Sequence, residues 1–180
     1  MHSRQFHAGT DYGHLQQIYG GRSQRITGST VQRTVIASLI PRAAVNHKFP
    51  LMMPSAGPRL AACLYGCLCS LVLDYAARQK VGGTSLTYFV LKQLPLLGPS
   101  EYERETPWDP KVVLRDWLLA RVLELTYTAW DLEPFARDVG YDGPPLRWDC
   151  DRRFILRCEL DAAFLHLYGL PRHDTDYVLD

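Results

Sequence analysis

The stretch Ala56–Gln79 constrains this chain more than any other. Gly57-Pro58 opens it, and Leu, Ala, Cys, Tyr and Val then occupy nearly every helical face down to Tyr75. A helix that is apolar all round does not lie on a surface; other elements must cover it. The spacing therefore predicts one long buried helix over 56–79, closed by Arg78 and Lys80, whose charges complement its C-terminus, and by the turn residues Gly82-Gly83. Covering it takes flanking chain. Thr34–Ile40 is a short apolar run ended by Pro41, and 85–91 is a second run rich in aromatic and apolar residues. Both are expected to be strands, with Lys48–Pro54 extended between prolines. Residues 1–30, rich in Gly, Ser, Gln, His and Thr, have no sustained periodicity and read as a loosely attached arm.

The remainder reads as helical. Asp109-Pro110 has the form of an N-cap followed by Pro at the first helical position, leading into 111–127. A short helix is expected over Asp131–Gly140, with Pro134 in its first turn and Gly140 as its stop. Asp149 and Asp151 start a third helix that runs to Leu167 and ends at Gly169, with Phe154, Cys158, Leu165 and Tyr168 as its apolar stripe. Asp176–Asp180 resembles the start of another turn. The expected fold is α+β and helix-rich: a small sheet packed on a buried helix, followed by a helical C-terminal half. Its segments are 1–30, 31–98 and 99–180.

A net charge of +1 hides a strong asymmetry: residues 1–100 sum to +8 and residues 101–180 to −7. Such a split points to one half facing a polyanion and the other facing something else. No apolar run approaches the ~20 residues of a membrane span, no basic-then-apolar leader opens the chain, and five cysteines form no even framework. The expected setting is cytoplasmic and away from membranes. Cys63, Cys67 and Cys69 lie close together, but a helix turns 69 away from the other two, so buried thiols are expected there and no metal. The six histidines are scattered, and neither a nucleophile elbow nor a glycine-rich phosphate loop is present. No catalytic constellation is expected.

Arg78-Gln-Lys-Val-Gly-Gly-Thr-Ser-Leu-Thr-Tyr-Phe-Val-Leu-Lys-Gln-Leu-Pro95 resembles the C-terminal, target-recognition region of large adenine-N6-specific DNA methyltransferases of restriction–modification and phage-defence systems. These include type IIG-like enzymes and the methylases of BREX and DISARM clusters. Gln32–Pro41, Leu123–Gly143, Arg147–Asp149 and Glu159–Leu170 resemble the same region in the same order, so the likeness spans about 30–180. The Gly-Gly loop and Leu91-Lys-Gln-Leu-Pro95 are also similar to the closing part of type I specificity-subunit recognition domains. In that family an (Asn/Asp/Ser)-Pro-Pro-(Tyr/Phe) loop holds the flipped adenine and a glycine-rich turn holds S-adenosylmethionine. This chain has a single Asn, Asn46, and its one Pro-Pro, Pro144-Pro145, lies between Gly143 and Leu146. The resemblance thus implies a recognition and scaffold fragment without methyl-transfer motifs, inactive alone and without its own cofactor. It also implies a truncated or split reading frame.

The partners implied are double-stranded DNA and the methyltransferase or helicase portion of the same system. Arg22, Arg25, Arg33, Lys48, Arg78, Lys80 and Lys92 are the candidate DNA contacts, since duplex readout needs cations on phosphates. The alternative is a non-catalytic interaction subunit, or a decayed stand-alone fragment, that binds a methylase or helicase.

Overall fold

The computed structural model describes residues 33–41, 43, 51–82 and 86–179. The expected 1–30 arm, Lys48–Pro50 and Ser85 lie outside them. The fold is helix-rich α+β, with one two-stranded sheet among the described residues. In chain order it comprises α1 (Pro58–Leu68), α2 (Leu71–Lys80), α3 (Tyr88–Leu91), a 3-10 turn (Pro99–Glu103), β1 (Glu105–Thr106) and β2 (Asp109–Val113). There follow α4 (Leu114–Thr126), a 3-10 turn (Trp130–Leu132), α5 (Glu133–Asp138), α6 (Cys150–Leu167) and α7 (Arg172–Leu179).

The long apolar helix is two helices, bent by 64° at Cys69-Ser70. Ser70 is the cause. Its backbone is extended, its hydroxyl donates to the Cys67 carbonyl at 2.7 Å, and the same oxygen accepts from Leu73 N at 3.4 Å. One side chain thereby closes α1 and caps α2. The burial expected of the apolar stretch holds: Ala62, Cys63, Cys67, Leu68 and Leu73 are enclosed, and α1 packs chiefly on α4. Gly66 lets α1 approach closely, for a Cβ there would stand 3.6 Å from both Phe164 and Val122. Among the described residues no single helix is long and apolar enough to cross a membrane.

The sheet is not where the sequence places it. Residues 34–40 are extended, with Val35 and Leu39 buried, but among the described residues they pair with no strand. Thr34 N and Val35 N both donate to Asp74 Oδ1, each at 2.6 Å, so a buried carboxylate replaces the neighbouring strand. Residues 88–91 form α3 instead of a strand, because the Thr87 hydroxyl caps Val90 N and turns the chain into a helix. The sheet is the β1–β2 hairpin, with Thr106 opposite Asp109 and Glu105 opposite Val113 across a bulge.

That hairpin also corrects the start of the next helix. Thr106 Oγ1 donates to the Asp109 carbonyl (2.7 Å) and accepts from Asp109 N (3.1 Å), which holds Asp109-Pro110 in the hairpin. Helix α4 begins only at Leu114, after the β-branched pair Val112-Val113, and ends at Tyr127 as expected. The later helices follow their caps. Gly140 (φ 95°) stops α5, Asp149 accepts from Arg152 N to open α6, and Gly169 (φ 68°) ends it. The stripe expected on α6 is wrong, however. Leu156, Leu160, Ala163 and Phe164 are buried, whereas Phe154 and Cys158 are exposed.

Substitutions at two positions test this packing. Gly66→Ala places a methyl at ordinary contact distance and removes a mid-helix glycine. It should raise stability by about 0.5–1 kcal/mol, while Gly66→Leu should lower it by about 1–3 kcal/mol through overpacking, both read by urea unfolding. Asp74→Asn should cost about 1.5–3 kcal/mol, since it discharges the acceptor shared by Thr34 N and Val35 N. Faster hydrogen exchange at those two amides is the second readout. A stable variant with protected amides would refute the anchor.

Candidate functional site

The cations of the two halves are treated differently. In residues 101–179 most arginines sit on carboxylates of their own half: Arg104 on Glu101, Arg115 on Glu103 and Asp116, Arg121 on Glu159, Arg137 on Glu133, Arg152 on Glu124 and Arg172 on Asp176. The described part of the basic half contains one acid, Asp74, and it is buried. Two of its arginines reach across instead. Arg33 meets Asp161 at 3.4 Å, and Arg59 meets Asp116 at 3.2 Å while also donating to the Val139 carbonyl. Part of the charge asymmetry is therefore attraction between the halves.

The candidate DNA contacts occupy different settings. Arg33 is bound to Asp161. Arg78 lies in the last turn of α2, 3.4 Å from Asp74 and 3.2 Å from the Thr34 hydroxyl, and helps to hold the extended segment. Lys80 ends α2 and Lys92 caps α3; both are exposed, α2 and α3 pack together, and neither lysine forms an ion pair among the described residues. Arg22, Arg25 and Lys48 lie outside the described residues.

A pocket of about 110 Å³ opens where α1, α4 and α6 meet. Arg33, Tyr65, Gly66, Cys69, Leu125, Arg153, Arg157, Leu160 and Asp161 line it. Each arginine is placed by a different device. Arg33 follows the extended run anchored on Asp74. Arg153 stacks on Trp148, with its guanidinium carbon 3.7 Å from the ring centre, and donates to the Leu125 carbonyl at 2.8 Å. Arg157 lies one turn further along α6 and donates to the Arg153 carbonyl through Nε at 3.4 Å. Asp161, a turn further again, accepts from Leu71 N at 2.7 Å. Burial pushes the Asp161 carboxyl above the usual carboxylate range, against the Leu71 N–H and the Arg33 charge. Arg33 Nη1 is enclosed and has no hydrogen-bond partner among the described residues.

Sequence reasoning singled out Arg33 but not Arg153 or Arg157, which lie in the acidic half. Their i, i+4 spacing, with Asp161 at the next i+4, is the signal that would have found them.

Of the three clustered cysteines, only Cys69 lines this pocket. Cys63 Sγ lies 3.8 Å from the Arg115 carbonyl, Cys67 Sγ 3.4 Å from the Tyr168 hydroxyl, and Cys69 Sγ 3.9 Å from the Ala37 carbonyl. Among the described residues no group of three His, Cys, Asp or Glu side chains is arranged to hold a metal ion. No protein-family model, curated protein or solved structure matches the chain.

Burial pushes the Cys63 thiol up to about 12 and that of Cys69 to about 11, and it raises Cys67 as well. At pH 8 these groups hold their protons and are poor nucleophiles. A disulfide reagent at that pH should therefore modify exposed Cys150 and Cys158 fastest in the native protein, and buried Cys63 and Cys67 only after denaturation. Rapid native labelling of Cys63 or Cys67 would contradict their enclosure.

Proposed function

We propose that this chain is the DNA-recognition and scaffold part of an adenine-N6-specific DNA methyltransferase of a restriction–modification or phage-defence system, acting in the cytoplasm. One observation carries the reading. Lys80 and Lys92 are exposed, free of carboxylates among the described residues, and stand in sequence on either side of Gly82-Gly83, within the segment that resembles the family's recognition region. Cations so placed are available to phosphates, whereas most arginines of the acidic half are held by their own carboxylates. Methyl transfer itself would belong to other residues of such an enzyme, since this chain carries neither the adenine-holding loop nor the cofactor turn.

The alternative, a non-catalytic interaction subunit, has its own support. Phe154, Ile155, Cys158 and Ala162 form an exposed strip along α6, at helical spacing and without a covering element among the described residues. Exposed apolar strips of this kind mark contact surfaces.

Duplex binding followed by fluorescence anisotropy at several salt concentrations tests the DNA reading. Each phosphate contact contributes about −0.9 to the log–log slope, so Lys80→Ala with Lys92→Ala should flatten it by up to about 1.8. Arg137→Ala, which removes a cation already spent on Glu133, should leave the slope unchanged. A folded double variant with the parental slope would remove these lysines from the interface. Absence of any duplex binding at low salt would remove the DNA reading itself.

A further inference from the structure

The pocket between α1, α4 and α6 gathers more cation than the fold uses. Arg33 spends one amino group on Asp161 at a loose 3.4 Å, and its enclosed Nη1 has no partner among the described residues. Arg153 spends only Nη1, on Leu125 O, and Arg157 only Nε, on Arg153 O; their other N–H groups make no hydrogen bond among the described residues. Three guanidinium groups stand against a single carboxylate, Asp161, around about 110 Å³ of space. One water needs about 10–15 Å³ of such space, so a polyatomic ion fits.

We propose that this pocket is a binding site for hydrogenphosphate, with Arg33, Arg153 and Arg157 as its ligands and Asp161 as its selector. A doubly charged ion balances three guanidinium groups and one carboxylate. Planar guanidinium forks suit the several acceptor oxygens of a phosphoryl group. Asp161 sets the choice between oxyanions. Hydrogenphosphate retains a proton that it can donate to the carboxylate, whereas sulfate has none and would bring lone pairs against lone pairs. A backbone phosphodiester also lacks that proton, so this site is separate from the lysines proposed to meet DNA, and neither reading depends on the other.

The test uses the full chain, with inorganic phosphate, sulfate and phenyl phosphate as probes against sodium chloride at equal ionic strength. Broadening of the phosphorus-31 line and a saturable rise in Tm report binding. Phosphate should bind at least tenfold more tightly than sulfate. Arg157→Gln, an exposed change that leaves the Arg33–Asp161 pair in place, should weaken phosphate at least tenfold. Asp161→Asn should abolish the preference over sulfate. Phenyl phosphate, whose dianion has no proton for Asp161, should bind no better than sulfate; an affinity equal to that of phosphate would overturn the role given to Asp161. In the unaltered protein, phosphate should also protect Arg157 from phenylglyoxal, read by peptide mass, which decides the matter even if a variant fails to fold. Equal responses to phosphate and chloride, equal affinity for sulfate, or an Arg157→Gln protein that binds phosphate normally would each overturn the proposal.

Discussion

The 64° break between α1 and α2 is the constraint on which the rest of the structure depends, and a carboxylate from far along the chain holds it. Ser70 ends one helix and caps the next, but its hydroxyl serves only one of the free N–H groups at the start of α2. Asp161, on α6, takes the N–H of Leu71. The same carboxylate draws in Arg33, while Asp74, one turn into α2, holds the backbone of Thr34 and Val35. Two acids thus tie the bend, the extended segment and the C-terminal helix into one arrangement. Straightening the bend would strand N–H groups and two carboxylates, at a cost of several kcal/mol.

The same geometry changes the meaning of the charge split. Read as a sequence, +8 against −7 asks for an external polyanion. In the fold, Arg33 and Arg59 already have carboxylate partners in the acidic half, and Arg59 also binds the carbonyl at the end of α5. Helix α1 packs closely on α4 without these contacts, and a pair as exposed as Arg59–Asp116 contributes at most about 1 kcal/mol. Their effect is on orientation more than on stability. What remains for an outside partner is smaller than the sum suggests, and among the described residues it is concentrated in lysines such as Lys80 and Lys92.

Legibility followed the locality of the interactions. Helix ends set by one residue were readable: Gly140, Asp149 and Gly169 act through their own backbone or cap geometry, and the sequence placed all three. Burial of the 56–79 stretch was readable because composition alone demands it. The failures came where a contact distant in sequence, or a competing local cap, decided the outcome. Residues 34–40 have the alternation of a strand, yet a strand needs a partner, and Asp74 takes the N–H groups of Thr34 and Val35 instead. At 88–91, apolar residues equally suited to strand or helix were decided by the Thr87 hydroxyl. Asp109-Pro110 carries a helix-start signature that Thr106 overrides by closing a hairpin three residues earlier.

The pocket arginines were hidden for a related reason. Arg153, Arg157 and Asp161 are four residues apart on α6 and look like an ordinary solvated ladder of opposite charges. They become a site only because the bend at Ser70 brings the end of α1 against that face of α6, and because Asp74 delivers Arg33 to the same place. Asp161 is then shared: one oxygen serves the helix start, and the other faces Arg33. A carboxylate divided in this way cannot neutralise three guanidinium groups, and its partial burial weakens its own ionised form. The excess positive charge in the pocket is therefore a consequence of the same contacts that hold the bend.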